Sequence, residues 1–199
     1  GGRAITLQLG SGCSVSAIDR GRAVDTSMGF SPVEGLVMAT RSGNIDPRII
    51  TYLQREAGFG ADDFEDLLSR SSGLLGISGE SSDMRELLES DTADARLAVE
   101  LYCYRAKQYI GAYMAALAGC DAVVFGGGVG ENAPPVRERI LSVMQWCGVE
   151  LDREANASTV GREGSISAPG SPVKAWVLPV DESAIMAGEA LNVLKDGGP

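Results

Sequence analysis

The stretch Asp121-Ala-Val-Val-Phe-Gly-Gly-Gly-Val-Gly-Glu-Asn132 decides how the rest of the chain is interpreted. Its apolar run, residues 122–125, is short and ends in glycines, which predicts a buried β-strand. A helix pattern begins after the glycines, at Pro134. In α/β proteins, a strand followed by a glycine loop and a helix presents bare backbone N–H groups to a ligand. We therefore predict a ligand-binding loop at residues 126–130.

A second glycine turn, Gly10-Ser11-Gly12, lies near the other end of the chain. It separates an apolar run at 4–9 from an alternating pattern at 13–18, and a third strand pattern follows at 22–26. The chain is thus expected to open with a three-stranded antiparallel meander. Because glycine has no Cβ, a ligand can approach the backbone closely at such a turn. We predict that both glycine segments close on one nucleotide.

Helix start signals recur between these two segments. Ser31, Pro32 and Glu34 form a capping-box pattern, and Asp46 precedes Pro47 in a similar way. The serine- and glycine-rich segment 71–82 is expected to be a loop. The predicted helices are 32–39, 47–56, 62–70, a two-turn helix from 83, 91–117, 136–146 and 182–194.

This order of elements predicts an α/β fold with a mixed sheet that is covered by helices. A dinucleotide-binding fold is the rival interpretation. Its fingerprint is GxGxxG, whereas this chain has Gly126-x-Gly128-x-Gly130 with Glu131 in place of the third glycine. Glu150 imitates the acidic residue that binds a ribose, so the rival stays open. However, the unit lies past the middle of the chain, behind the meander, which is not where such a domain opens.

The chain has 199 residues and a formal net charge of −10, from 17 basic and 27 acidic side chains. This charge argues against a nucleic acid or an anionic membrane as the partner. No apolar run approaches the roughly 20 residues of a membrane-spanning helix. Cys13, Cys103, Cys120 and Cys147 form no CxxC pair, which is typical of reduced thiols in a cytoplasmic protein.

The chain contains no histidine, and this restricts its chemistry. Neither a Ser-His-Asp triad nor an HExxH zinc site can be formed from it. Carboxylates, arginines, backbone amides and a hard metal ion remain, and these favour phosphoryl transfer. Arg41 is the candidate cation, because it lies in a polar, glycine-containing connection between two predicted helices. A solvated loop arginine is the alternative.

Six segments resemble, in order, the motifs of the acetate kinase (acetokinase) family, and together they span nearly the whole chain. They are Gln8-Leu-Gly-Ser-Gly12, Asp25-Thr-Ser-Met-Gly-Phe-Ser-Pro-Val-Glu-Gly35, Thr40-Arg-Ser-Gly-Asn-Ile-Asp-Pro47, Gly79-Glu-Ser-Ser-Asp-Met-Arg85, Phe125-Gly-Gly-Gly-Val-Gly-Glu-Asn132 and Pro179-Val-Asp-Glu182. The resemblance implies ribonuclease-H-like domains, as in actin, hexokinase and Hsp70, with a nucleotide between two of them. It also implies transfer of phosphate between ATP and acetate or a related short carboxylate, with Mg²⁺.

The resemblance identifies residues 1–199 as one domain, with helices on both faces of its sheet, that forms the second, ATP-binding half of such an enzyme. The N-terminal domain, which would precede Gly1, is then a missing partner, and this half alone is expected to turn over little. Family members pair through this domain, so a homodimer is expected. The alternative function is a non-catalytic nucleotide-binding or dimerisation module derived from the family.

The resemblance also assigns site residues. Arg41 is expected to be the catalytic cation that neutralises the transferring phosphoryl group, and Glu182 to contact Mg²⁺ directly or through water. The first glycine turn is expected to face the phosphates, and two later segments to form the walls of the adenosine pocket. The residues expected to bind ATP or ADP are Gln8, Leu9, Gly10, Ser11, Gly12, Asp83, Met84, Arg85, Gly128, Val129, Gly130, Glu131 and Asn132.

Three positions depart from the family pattern. Gln8 stands where the family has histidine, and glutamine donates a hydrogen bond but cannot become cationic near neutral pH. Ser11 stands where the family has asparagine. Asp181 replaces an asparagine before Glu182 and adds a carboxylate near the expected metal. These differences bear on rate and substrate more than on the fold.

Overall fold

The computed structural model describes residues 2–180, 186 and 190–192. The strands of this part are β1 (Arg3–Leu9), β2 (Cys13–Asp19), β3 (Arg22–Thr26), β4 (Ala122–Gly126), β5 (Gly164–Ser165) and β6 (Lys174–Val177). They form one mixed sheet in the order β3-β2-β1-β4-β6-β5. The predicted antiparallel meander is present as β1, β2 and β3, whereas β4 runs parallel to both β1 and β6.

The helices within the described residues are α1 (Arg48–Ala57), α2 (Ala61–Arg70), α3 (Gly73–Ser78), α4 (Met84–Glu89), α5 (Ala93–Ala116), α6 (Gly127–Asn132), α7 (Pro134–Leu141) and α8 (Arg153–Ser158). A 3₁₀ turn follows at Gln145–Cys147. Residues 149–151 contribute two isolated β-bridges, from Val149 to Val173 and from Leu151 to Ser167.

The core lies on one face of the sheet. In β1, Ile5, Leu7 and Leu9 are fully buried and the side chains between them are half-buried, as in a strand covered on one face. α5 packs on β1 and β2 with Tyr102 buried at the contact. Burying each large apolar side chain contributes about 1.5–3 kcal/mol. This packing holds the C-terminal end of β1, where the first glycine turn begins.

The helix expected at 182–194 falls largely outside the described residues, and Glu182 does too. Residues 186 and 190–192 are helical. α5 and α7 contribute to the core on the buried face of the sheet. A second layer of helices on the other face therefore stays a prediction.

Residues 31–39 do not form the predicted helix. The Ser31 hydroxyl accepts a hydrogen bond from the Val33 N–H at 3.3 Å and supports only a turn. The chain then runs irregularly, because Leu36 and Met38 are buried in the core and Gly35 adopts a left-handed φ of +109°. Tertiary burial overrides the local helix signal at this point.

The segment 71–82 is not a loop throughout, because it contains α3. Leu74 at the start of this helix is buried, which gives the apolar residues of the segment a place in the core. The helix ends at Gly79, which has a left-handed φ of +68° and donates its N–H to the Leu75 carbonyl. Serine and glycine content alone therefore predicted the wrong structure here.

Two other helices, α2 and α7, also have boundaries that differ from the prediction, and α8 is additional to it. α2 begins after Gly60, whose N–H donates to the Asp63 carboxylate at 2.8 Å, and not at Asp62. α7 ends at Leu141 because the chain turns away into the 3₁₀ segment. α8 was not predicted, although Asp152 caps it by accepting from the Ala155 N–H at 2.9 Å.

Candidate functional site

A cavity of about 440 Å³ opens at the edge of the sheet where β1 and β4 end. Its walls come from the first glycine turn, from the start of α4 and from α6. The volume lies within the range of roughly 300–1,000 Å³ that small-molecule sites occupy. The residues that line it are Gly10, Ser11, Leu74, Ser82, Asp83, Met84, Arg85, Gly128, Val129, Asn132 and Ala133.

The two glycine segments meet at this cavity because β1 and β4 are parallel neighbours. Gln8 pairs with Gly126 in the register, so both strands end at the same edge of the sheet. Ser11 and Val129 consequently line the same cavity although they are far apart in the sequence. The structure thus brings together the two glycine segments, Gly10–Gly12 and residues 126–130.

The glycine segment after β4 is a helix and not the predicted loop. α6 begins at Gly127, directly after the strand. Gly127 has a φ of +76°, and a Cβ there would lie 2.6 Å from the Leu9 carbonyl oxygen. Glycine is therefore required at this position for the helix to start so close to β1. Gly128, by contrast, has no atom from outside its own helix backbone within 4 Å of where its Cβ would lie, because it faces the opening.

Two residues of the predicted set, Gly130 and Glu131, lie behind the cavity wall. Gly130 is buried against Phe125 and Leu9. Glu131 Oε1 accepts hydrogen bonds from the Gly127 N–H at 3.0 Å and from the Val180 N–H at 3.2 Å. Its carboxylate therefore holds the start of α6 to the chain that follows β6.

The wall opposite α6 is the start of α4. The Asp83 carboxylate caps this helix by accepting from the Arg85 N–H at 2.8 Å. It also pairs with the Arg85 guanidinium, with Nη2 and Oδ2 separated by 2.6 Å. The side-chain hydrogen bond from Arg85 lowers the pKa of Asp83 to about 2. Met84 is buried behind this pair and presents apolar surface to the cavity.

The first glycine turn is held from below by a buried thiol. Cys13 Sγ donates to the Gly10 carbonyl at 3.3 Å and lies 3.1 Å from the Tyr102 hydroxyl. Burial raises the pKa of the Cys13 thiol, which keeps it protonated as a donor. Within the turn, the Gly10 N–H donates to the Gly12 carbonyl at 3.1 Å. These contacts leave Ser11 exposed at the tip.

Arg41 lies next to this turn and not in the cavity lining itself. A Cβ on Gly12 would lie 3.2 Å from Arg41 Nη1. The loop that carries Arg41 is joined to the turn, because the Ala39 N–H donates to the Ser11 carbonyl at 3.0 Å. Arg41 Nη1 also donates to the Pro32 carbonyl at 3.3 Å. Among the described residues, no carboxylate forms an ion pair with Arg41.

Comparison with known proteins decides the family. The sequence profile described as the acetokinase family matches residues 2–188. The chain belongs to the acetokinase family. An acetate kinase from Chloroherpeton thalassium is 50% identical over 188 residues, which cover 92% of this chain and 45% of that protein. An acetate kinase from Solibacter usitatus is 49% identical over 194 residues, which cover 96% of this chain and 47% of that protein.

Solved acetokinase-family structures share the fold. The crystal structure of Porphyromonas gingivalis acetate kinase superposes with a TM-score of 0.93 at 42% identity, covering 97% of this chain and 49% of that one. A propionate kinase from Francisella tularensis gives a TM-score of 0.88 at 37% identity, covering 94% and 48%. The predicted ribonuclease-H-like fold is thereby confirmed. The chain spans about half the length of the relatives it matches.

The acetokinase-family motifs do not all reach the cavity. Leu9 is fully buried, Gln8 lies beside Gly126, and the Cβ position of Gly12 points toward Arg41 Nη1. Three lining residues were missed: Leu74, Ser82 and Ala133. Ser82 lies within the motif Gly79–Arg85, and Ala133 directly follows the motif that ends at Asn132, which is a signal that the sequence offered. Leu74 was hidden because its segment was predicted to be a loop.

None of the helices in the described part of this acetokinase-family chain combines the length and hydrophobicity that a transmembrane helix requires. The same part contains no group of three or more histidine, cysteine, aspartate or glutamate residues placed to hold a metal ion. Mg²⁺ usually binds through one or two carboxylates together with substrate phosphates, so such a cluster is not required for it.

Proposed function

We propose that this chain is the nucleotide-binding half of an acetate-kinase-type phosphotransferase. In that reaction the bond between the γ-phosphorus of ATP and the β–γ bridging oxygen breaks, and a bond to an oxygen of acetate or a related short carboxylate forms. The products are ADP and an acyl phosphate. The observation that carries the proposal is the cavity shared by Ser11 and α6, with the Arg41 loop bonded to the Ser11 turn.

The cavity suits a nucleotide in its chemistry. Leu74, Met84 and Val129 offer apolar surface for a base, and Ser11 and Asn132 offer polar groups. We assign the phosphates to the Gly10-Ser11-Gly12 turn, where the backbone can be approached closely. We assign adenosine to the space between the α4 and α6 walls. Gln8, Leu9, Gly130 and Glu131 would then support the site from behind.

We assign Arg41 as the cation that meets the transferring phosphoryl group. Its guanidinium adjoins the proposed phosphate turn, and its charge is not neutralised by an ion pair within the described residues. Charge that develops on phosphoryl oxygens suits the planar guanidinium fork. Arg41→Ala, in an enzyme reconstituted with the missing half, should lower kcat far more than it weakens ATP binding. Equal losses in both, or a similar loss in the surface control Arg96→Ala, would contradict the assignment.

Mg²⁺ would be held by the nucleotide phosphates and by Glu182, which lies outside the described residues. A bound ion supplies charge neutralisation at the phosphate oxygens and prefers oxygen ligands. The carboxylate substrate and further catalytic groups would come mainly from the N-terminal half, which is consistent with the chain covering 45% and 47% of two relatives.

Ligand preference and turnover test this function. In a thermal-shift assay, ADP should raise the melting temperature and NAD should not, because the site is built for a mononucleotide. Protection by NAD but not by ADP would favour the dinucleotide oxidoreductase. The 199-residue protein alone should form little acetyl phosphate. Robust formation by material free of any longer species would contradict the view that half of the active site is elsewhere.

Pairing of two copies is the second proposal, and α1 supports it. This helix is amphipathic, yet none of its residues is buried. Ile49 and Tyr52 are exposed. In an antiparallel, two-fold arrangement Arg48 of one copy would lie beside Glu56 of the other, so the face is self-complementary in charge. We infer that a second copy of the chain covers this face of α1. Such pairing would fit both a catalytic homodimer and a non-catalytic dimerisation module.

Analytical ultracentrifugation tests this pairing. Tyr52→Arg should convert a dimer to a monomer, whereas Leu97→Asp, an exposed apolar position on α5, should leave the dimer intact. A monomeric wild-type protein would contradict the pairing and leave the catalytic proposal standing.

The four free thiols support the further proposal of a cytoplasmic location.

A further inference from the structure

Arg137 in α7 is fully buried without a carboxylate partner among the described residues. All five of its N–H donors are nevertheless used. Nε donates to Asn156 Oδ1 at 2.8 Å. Nη1 donates to the carbonyls of Gly130 at 2.8 Å and Glu131 at 3.0 Å. Nη2 donates to the carbonyls of Asn156 at 2.9 Å and Thr159 at 2.6 Å.

These carbonyls belong to the C-terminal ends of two short helices, α6 and α8. The last four carbonyls of a helix have no N–H donor within that helix, and they carry its negative partial charge. A single guanidinium therefore satisfies both helix ends with charge-assisted hydrogen bonds. Asn156 extends the cluster, because its Nδ2 donates at 3.0 Å to the carbonyl of Pro134, the first residue of α7.

α6 depends on hydrogen bonds from side chains because its own sequence has a low helix propensity. It has six residues, and Gly127, Gly128 and Gly130 are three of them. Glycine is among the least favourable residues in a helix interior. No side chain of the N-cap residue closes its start. Glu131 holds the N-terminal end and Arg137 holds the C-terminal end, while the outer face of α6 lines the cavity.

We propose that Arg137 is a positioning residue for the nucleotide site. It fixes the wall formed by Gly128, Val129 and Asn132 without touching the cavity itself. The nature of the ligand rests on the proposed function, whereas the bracing of α6 does not. A residue that only stabilised the fold would change the fraction of folded protein and not the affinity of the folded form. Arg137 should change that affinity.

The test compares Arg137→Met with Ile140→Ala, a buried position one turn along the same helix. Titration calorimetry measures the Kd for ADP at a temperature where circular dichroism shows every variant folded. Arg137→Met should raise the Kd about tenfold or more. In Arg137→Met, the backbone amides of residues 127–132 should exchange hydrogen faster than in the wild type, and mass spectrometry of a peptide that covers these residues measures this rate. Ile140→Ala should stay within about twofold of the wild-type Kd and exchange rate at this peptide.

Three results would overturn the proposal. One is a wild-type Kd and exchange rate in Arg137→Met, and another is an equal rise of the Kd in Ile140→Ala. If Arg137→Met does not fold, Arg137→Lys replaces it, because it keeps the charge and loses the fork. Arg137→Lys should raise the Kd for ADP about threefold or more and speed hydrogen exchange at residues 127–132. The third overturning result is a Kd and an exchange rate in Arg137→Lys that equal those of the wild type. If the wild-type protein does not bind ADP, the proposed function fails, and the exchange comparison alone decides whether Arg137 braces α6.

Discussion

The two glycine segments at the cavity use the same residue for different purposes. In the hairpin turn, a Cβ on Gly10 or Gly12 would have its nearest neighbour at 3.5 or 3.2 Å, which the fold can tolerate. In α6, a Cβ on Gly127 would lie 2.6 Å from the Leu9 backbone. The glycines of the turn therefore keep side chains away from the opening. In α6, by contrast, Gly127 allows the helix backbone to contact the backbone of Leu9. Three glycine substitutions test this contrast, and a fourth substitution tests the remaining wall of the cavity.

Gly127→Ala should have the largest effect on stability. It combines a left-handed φ of +76° with a backbone clash, so we expect a loss of about 3 kcal/mol or more in the free energy of unfolding. Guanidinium titration measures this loss. Gly58→Ala is the matched control, since its φ is +69° but no atom lies within 4 Å of the added Cβ. The control should lose only about 1–2 kcal/mol. Equal losses would break the contrast.

Gly128→Ala should separate ligand binding from stability within the same helix. Its Cβ meets no protein atom within 4 Å, so the folded protein should be unharmed or stabilised by up to about 1 kcal/mol. The methyl group enters the cavity, and calorimetry should show ADP binding weakened about tenfold. Gly111→Ala in α5 also meets nothing within 4 Å and should leave the affinity unchanged. Unaltered ADP binding in Gly128→Ala would show that α6 is not a ligand wall.

Gly12→Ala should show how tolerant the turn is. Its Cβ would press on Arg41 Nη1 at 3.2 Å, and this end of a flexible side chain can move by a few tenths of an ångström. The free energy of unfolding should change by less than about 0.5 kcal/mol, and the ADP affinity by about threefold. Gly10→Ala, with its nearest atom at 3.5 Å, is the comparison for a contact of ordinary length. A loss as large as that of Gly127→Ala would remove the distinction between the segments.

The third wall, at α4, should show the smallest effect and only through pH. Hydrogen bonds from Arg85 lower the pKa of Asp83 to about 2, below the roughly 3.9 of an unfolded chain. The stabilisation is therefore present above the unfolded pKa and is lost as the pH falls toward 2. The melting temperatures of the wild type and of Arg85→Met, measured by thermal unfolding, should differ slightly at pH 6 and become equal near pH 2. A constant difference across this range would assign the effect to something other than the Asp83 charge.

Alternation and long helical periods predicted the sheet and α5, because these patterns report which side chains face the core. The same reasoning failed at residues 31–39, where Leu36 and Met38 are buried in an irregular chain that only the folded core can support. It also failed at α6, since glycine content predicts a loop, whereas the hydrogen bonds that Glu131 accepts from Gly127 and Val180 and the bond that Arg137 donates to Gly130 stabilise a helix.

For the site, the motif residues Ser11, Asp83 and Val129 were predicted and do line one cavity. Motif membership did not distinguish residues that face the opening from those that support it. Leu9 and Gly130 are in the second group because they pack against each other behind the wall. That distinction depends on which face of a strand or helix is buried, and it becomes visible only once β1 and β4 are paired.

The pairing of β1 with β4 has a consequence for synthesis of the chain. Arg3 donates its N–H to the Asp121 carboxylate across a separation of 118 residues, at the start of the two strands whose other ends form the cavity. The meander pairs strands that follow one another in the sequence, so it can assemble early. Pairing β1 with β4 closes a much longer loop, which costs more chain entropy and is slower. A nascent chain still lacking β4 would hold a finished hairpin and no pocket. Capture of a small molecule at this edge would therefore follow the pairing of β1 with β4 and not precede it.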